Sequence, residues 1–152
     1  MSVALGQPAP DFTLEGVVGG LRRRFALSEA IGAPLVLAFY PGDDQPTCVR
    51  QLCSYQDDLE LLTGLGATLW GISAQSVASH ERFAAKPGLT FPLLSDPGNR
   101  VHELYGVKGV LGRTKRAVVV LDAKGVVRWG HASAIGLTVK GSETIASVLR
   151  GL

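Results

Sequence analysis

Cys48 and Cys53 are the only two thiols in a chain of 152 residues, and they sit five positions apart in the segment YPGDDQPTCVRQLC. Paired thiols can serve as a structural staple, as metal ligands, or as a nucleophilic or redox centre. A staple across so few residues would stabilise little, because the entropic effect of a crosslink grows with the loop it closes. Scaffolds that depend on disulfides also carry more cysteines and are usually shorter. Structural zinc takes four ligands at set spacing, whereas His80, His102 and His131 are scattered singly. Metal is therefore the weaker reading, and a catalytic or redox-sensing pair the stronger. The opening residues MSVALGQPAPDFTL contain no basic segment followed by a long apolar one, so the expected compartment is the reducing cytoplasm.

The elements that must position these thiols follow from the local pattern. Leu35 to Tyr40 is an unbroken apolar run of strand length, expected to be buried on both faces and ended by Pro41-Gly42. Beyond a polar loop, Cys48, Leu52, Tyr55, Leu59 and Leu62 recur at the period of an amphipathic helix. That helix is expected to begin at Pro46 or Thr47, where proline is tolerated, and to end at Gly64 to Gly66. Cys48 therefore falls just past the C-terminal end of a central strand and in the first turn of a helix, the edge where open α/β sheets place their sites. Unpaired N–H groups there favour a thiolate. Asp43 and Asp44 would oppose it if they pointed at the sulfur. A reactive Cys48 thus needs a cation, and Arg50, two residues into the helix, need not face it. An arginine from a distant loop is the better expectation.

Residues five apart in a regular helix have Cα atoms about 8.7 Å apart and point about 140° away from each other. A disulfide requires a Cα separation below roughly 7 Å. Either Cys48 and Cys53 never pair, Cys53 being a small buried hydrophobe, or the first turns of the helix unwind when they do.

The rest of the chain reads as alternating strands and helices. Phe12 to Leu14 and Arg24 to Leu27 flank a Gly19-Gly20 turn, with Arg22-Arg23-Arg24 as a solvated strand or loop edge. One helical turn over Ser28 to Ile31, a strand over Ala67 to Ser73 and a helix over Ser76 to Ala85 are expected. A short strand, Phe91 to Leu94, precedes Asp96-Pro97, which has the form of an N-cap and first residue for a helix reaching Tyr105. A hairpin joins Ala117 to Leu121 with Val126 to His131, and a helix over Ser142 to Leu149 closes the chain. This is an α/β sheet with helices on both faces. With 46% hydrophobic and 18% charged residues, disorder is excluded, and the longest apolar run is far short of a bilayer crossing. A net charge of +2 gives no case for nucleic acid.

Several of these segments, in this order and at these distances, resemble the peroxiredoxins, and within them the bacterioferritin-comigratory or peroxiredoxin Q group. They are APDFTL, YPGDDQPTC, GISAQS, FPLLSDP, YGV and the stretch from Arg116 to Gly125, together covering nearly the whole chain. The resemblance implies an α/β thioredoxin-like fold of the peroxiredoxin type: a central mixed sheet flanked by helices, with an N-terminal β-hairpin extension, as a single domain over residues 1–152. It implies hydroperoxide reduction with Cys48 as the peroxidatic cysteine and Arg116 as the arginine that steadies thiolate and peroxide. Pro41 matches the loop proline that shields the cysteine. Cys53 matches a resolving cysteine, which implies a Cys48–Cys53 disulfide.

The sequence departs from the family at two positions. Gln45 stands where the family has threonine or serine, whose hydroxyl hydrogen-bonds the peroxide; a glutamine amide donates and accepts through separate atoms, and Thr47 offers a hydroxyl nearby. Gln51 stands where the group usually has glutamate. The implied partners are a hydroperoxide substrate and a thioredoxin-like dithiol reductant, since no third cysteine can reopen the disulfide. No metal or organic cofactor, no nucleic acid and no membrane are needed, and the chain fits a monomer or a homodimer. The competing readings are a thiol-disulfide oxidoreductase, which lacks a C-x-x-C motif, a Cys–His hydrolase, and a binding or chaperone-like thioredoxin-fold protein with inert cysteines.

Overall fold

A computed structural model of the protein describes residues 3–43, 45–108, 115–133 and 141–152. Its centre is a seven-stranded mixed sheet in the order β2-β1-β5-β4-β3-β6-β7. β3 (Leu35–Phe39), β4 (Thr68–Ser73) and β5 (Leu93–Ser95) run parallel, while β6 (Arg116–Leu121) and β7 (Val127–Ser133) form an antiparallel hairpin on the far side of β3. The strand pleat splits β3 between two core layers. Val36, Ala38 and the following Tyr40 pack with Cys48, Leu52, Tyr55, Phe83 and Ile145 on one face. Leu35, Leu37 and Phe39 pack with Phe12, Trp70, Tyr105 and Val107 on the other. Burial on both faces explains why β3 carries no polar residue.

The N-terminal hairpin is longer than its hydrophobic pattern indicated. β1 (Thr13–Val18) and β2 (Leu21–Ala26) pair along their whole length around Gly19 and Gly20, whose φ values of 56° and 79° suit the tight turn that links two twisted strands. Arg22, Arg23 and Arg24 belong to β2 itself, an exposed edge strand whose charge discourages pairing with other chains. β1 joins the main sheet antiparallel to β5, with Gly16 opposite Leu94. A Cβ at Gly16 would lie 2.7 Å from the Leu93 carbonyl oxygen, so the junction needs glycine.

Three helical expectations change. The single helix read from residue 46 or 47 to Gly64–Gly66 is two: α1 (Pro46–Asp57) and α2 (Leu59–Gly64), separated where Asp58 leaves helical geometry. Two consecutive aspartates, poor helix formers, allow the break, and α2 then packs against the closing helix α5 (Ser142–Arg150). The turn after β2 is a 3₁₀ segment, Leu27–Ala30. Asp96-Pro97 opens a 3₁₀ turn, Pro97–Asn99, and α4 begins only at Arg100, ending at Leu104. Gly98 and Asn99, both at positive φ, insert that extra turn. Asp96 still caps α4 from a distance, accepting from the backbone N–H groups of Val101 and His102 at 3.1 and 2.9 Å. α3 (Val77–Ala85) starts as expected, with the Ser76 hydroxyl accepting from Ser79 N–H.

Candidate active site

Cys48 is the third residue of α1, after Gln45 as N-cap and Pro46 at the first helical position. Its side chain is wholly buried. β6 lies antiparallel to β3 with Ala117 opposite Phe39, so Arg116, the first residue of β6, emerges beside the point where β3 gives way to the loop. Its guanidinium, also buried, donates through Nη2 to Cys48 Sγ at 3.2 Å and through Nη1 to Gln51 Oε1. Gln51 Nε2 in turn donates to the Tyr55 hydroxyl at 3.0 Å. Cys48, Gln51 and Tyr55 follow one another at three and four residues, so they share the inward face of α1. Burial pushes the Tyr55 hydroxyl up to about 12, so it remains protonated. An arginine donor fixed in this way can stabilise negative charge on the sulfur and on an oxygen bonded to it.

Asp43 does not face the sulfur. Its carboxylate turns into the protein, accepting from the Tyr40 hydroxyl at 2.7 Å and the Ser79 hydroxyl at 2.6 Å. His80 Nδ1 lies 2.9 and 2.8 Å from its two oxygens, and His80 Nε2 lies 3.0 Å from the Leu94 carbonyl oxygen. Burial pushes the Asp43 carboxyl up, but the hydrogen bond and charge of His80, with the hydroxyls of Ser79 and Tyr40, outweigh it and hold it below its ordinary value. Burial and then the Asp43 charge raise Tyr40 well above the usual tyrosine range, so its hydroxyl stays a donor. The charge expected to oppose a thiolate is thus taken up elsewhere. Asp44 lies outside the described residues.

The remaining candidates are less closely drawn in. Pro41 is half-buried and its carbonyl accepts from Gln75 Nε2 at 3.3 Å. Gln45 is exposed and caps the helix with its backbone alone. Thr47 Oγ1 accepts a long hydrogen bond, 3.4 Å, from Arg50 Nη2. Among the described hydrogen bonds, none joins Gln45 or Thr47 to Cys48. Cys53 is half-buried further along the unbroken α1, and both cysteines are free thiols. The roles of Gln75, Ser79 and Tyr55 were not legible from the sequence. For Tyr55 the i, i+4 spacing from Gln51 was the available signal; for Gln75 and Ser79 there was none.

Two of the three histidines, His80 and His102, are engaged with aspartates. His102 Nδ1 lies 2.5 Å from Asp96 in the other core layer, and His131 stacks on Trp129. Among the described hydrogen bonds, none joins a histidine to Cys48, so nothing in them favours a Cys–His hydrolase. Among the described residues, no three of His, Cys, Asp and Glu gather as a metal site would require.

A buried cysteine at a helix start, faced by a buried arginine from the neighbouring strand of a thioredoxin-like sheet, defines a class of thiol-bearing α/β proteins. Residues 5–130 match the model of the AhpC/TSA family, to which the chain belongs, within its peroxiredoxin Q and bacterioferritin-comigratory group. It is 43% identical to the chloroplastic peroxiredoxin Q of Triticum aestivum over 84% of this chain and 58% of that protein. With a protein of Coxiella burnetii named peroxiredoxin bcp it shares 36% identity over 98% of each chain. The chain therefore spans somewhat over half the length of its plant relatives and nearly all of the bacterial one. The crystal structure of Enterococcus faecalis AhpC superposes with a TM-score of 0.91 over 98% of this chain and 92% of that one, at 21% identity. The expected fold, a mixed sheet flanked by helices, is the one found.

Proposed function

We propose that the protein is a thiol-dependent peroxidase that reduces hydrogen peroxide and organic hydroperoxides, with Cys48 as the attacking thiolate. The observation that carries this reading is the buried Arg116 donor 3.2 Å from Cys48 Sγ at the N-terminal turn of α1. The sulfur attacks the terminal peroxide oxygen, the O–O bond breaks, and the departing oxygen takes a proton to leave as water or an alcohol. Cys48 becomes a sulfenic acid. Arg116 and the helix-start N–H groups would stabilise charge as it moves from sulfur to oxygen. Gln45, the N-cap of α1, and Thr47, in its first turn, are the neighbouring side chains that would donate to the peroxide.

Resolution falls to Cys53. Its thiol attacks the Cys48 sulfenic acid, a disulfide forms and water leaves, which requires the start of α1 to unwind. A thioredoxin-like dithiol then reduces the disulfide. With Cys48 and Cys53 as the two cysteines of this sequence, the reductant is external, and a reducing compartment is its setting; the wheat relative is named as chloroplastic. No helix among the described residues is long and apolar enough to cross a membrane. The protein acts as a single domain, alone or as a homodimer.

The test is one equivalent of hydrogen peroxide added to the reduced protein, with intact mass and free thiols followed over time. Wild type is expected to lose two hydrogens and both thiols. Cys53→Ser should stop at a sulfenic acid, and Cys48→Ser should consume no peroxide rapidly. Wild-type thiols reacting no faster than free cysteine would overturn the peroxidase reading and leave a binding protein with inert cysteines.

A further inference from the structure

The loop between β3 and α1 is held very unevenly. Just before the helix, Asp43 makes short contacts to Tyr40, to Ser79 and to His80, and His80 is braced in turn against the Leu94 carbonyl of β5. Pro41 is tied by its carbonyl to Gln75. Among the described residues between that anchor and Cys48, side-chain support is slight: Gln45 gives the helix no side-chain cap, and the hydrogen bond described for Thr47 is the 3.4 Å contact with Arg50. On the far side of this weak stretch, Arg116 grips Cys48 and Gln51. The first turn of α1 is thus suspended between two buried anchors. One of them, Arg116, touches the reacting sulfur, so its contact changes as soon as the sulfur is oxidised. The other, Asp43, touches nothing that reacts.

We propose that Asp43, clamped by Ser79 and His80 of α3, sets how readily the first turns of α1 unwind. It thereby divides the Cys48 sulfenic acid between disulfide formation with Cys53 and over-oxidation. The two fates compete for one species: attack by the Cys53 thiol gives the disulfide and water, whereas attack on a second hydroperoxide gives a sulfinic acid and water or an alcohol. Only the first requires α1 to open. A firm clamp lengthens the life of the sulfenic acid in the closed site, and a loosened one hastens its capture. Ser79 and His80 are positioning residues here, acting on the loop through Asp43. The division of products rests on the peroxidase reading above; the effect on helix opening does not.

The experiment uses the full-length chain with Ser79→Ala, which removes one hydrogen bond from a half-buried position, and Asp43→Asn, which weakens the whole cluster. Circular dichroism confirms that each is folded. Two quantities are then read. Amide hydrogen exchange of residues 46–51 in the reduced protein reports opening without any peroxide chemistry. Rapid-quench mass spectrometry separates the rate of peroxide consumption, the rate of disulfide formation and the fraction carrying two added oxygens.

In Ser79→Ala, exchange over 46–51 and disulfide formation should each rise about three- to tenfold, as the loss of one such hydrogen bond permits. The over-oxidised fraction should fall in proportion, with peroxide consumption changed less than about twofold. Asp43→Asn should move the same quantities further in the same direction. Unchanged exchange over residues 46–51 in both folded variants overturns the clamp. So does slower peroxide consumption with no gain in exchange, which is the mark of a merely structural role. If exchange rises but no Cys48–Cys53 disulfide forms even in wild type, the clamp stands and the resolving role of Cys53 fails.

Discussion

Arg116 and Cys48 are 68 positions apart in the chain, yet Nη2 of one lies 3.2 Å from Sγ of the other. The antiparallel register of β6 against β3 produces this meeting, because Ala117 opposite Phe39 leaves Arg116 level with the start of the loop that leads to Cys48. The same guanidinium reaches Gln51, so one side chain touches both the sulfur and the helix that carries it.

Replacing Arg116 by alanine is expected to slow peroxide consumption by about 10²- to 10³-fold, the usual consequence of removing one fixed donor from developing negative charge. Arg116→Lys should recover only part of the loss, since an ammonium cannot reproduce the fork that spans Cys48 and Gln51. Stopped-flow peroxide consumption on folded variants decides the matter. An alanine variant that works at the wild-type rate would remove Arg116 from the mechanism.

Gln51→Leu removes the acceptor from a buried guanidinium and the donor from the buried Tyr55 hydroxyl. Losing a hydrogen bond to a charged group typically costs about 1.5–3 kcal/mol. Urea unfolding should show a loss of that size. Peroxide consumption should also slow, because the guanidinium loses the contact that aims it. A variant as stable as wild type would mean that the amide is incidental to the site.

Acid should weaken the Asp43 cluster. Its carboxyl is held below the ordinary value, near 3.9 for a free aspartate by rough convention. The stabilisation is therefore fully present above about pH 4 and is lost as the pH falls through the lower folded value. The stability gap between wild type and Asp43→Asn, measured by urea unfolding at a series of pH values, should be open at pH near 5 and narrow steadily below roughly pH 4. A gap independent of pH over that range would contradict an ionised Asp43. Asp96, also held low against burial by its contacts with His102 and Val101, should contribute to the same acid limb in wild type.

At the other end of the sheet, Gly16→Ala should destabilise the protein by about 1–3 kcal/mol, the usual penalty for overpacking. The added Cβ would meet the Leu93 carbonyl oxygen at 2.7 Å and the Phe25 ring at 2.9 Å, forcing β1 away from β5. Thermal unfolding reads the effect. A neutral substitution would show that the hairpin shifts freely against the sheet.

Local pattern alone was enough for the strand before the active-site loop and for the start of α1. A run such as Leu35 to Tyr40 has one physical use, and Pro46 followed by residues at helical spacing has another. It was not enough for the full length of β2, read only from Arg24, because its three arginines are typical of an exposed edge and carry no apolar alternation. The break at Asp58 and the extra turn after Asp96 also escaped it, because each depends on where neighbouring elements need room.

The same division runs through the site. By itself the sequence determined that two thiols lie too far apart on one intact helix to bond, that Cys48 occupies a helix start, and that a cation must come from elsewhere. These follow from helix geometry and electrostatics, which are local. Only the tertiary structure decided where Asp43 points. In the chain it stands five residues before Cys48 and looks like its electrostatic opponent. In the fold its carboxylate is captured by Tyr40, just past β3, and by Ser79 and His80 of α3, which is distant in sequence. Buried charge goes to whatever partners packing brings within hydrogen-bond reach, and no spacing along the chain encodes that.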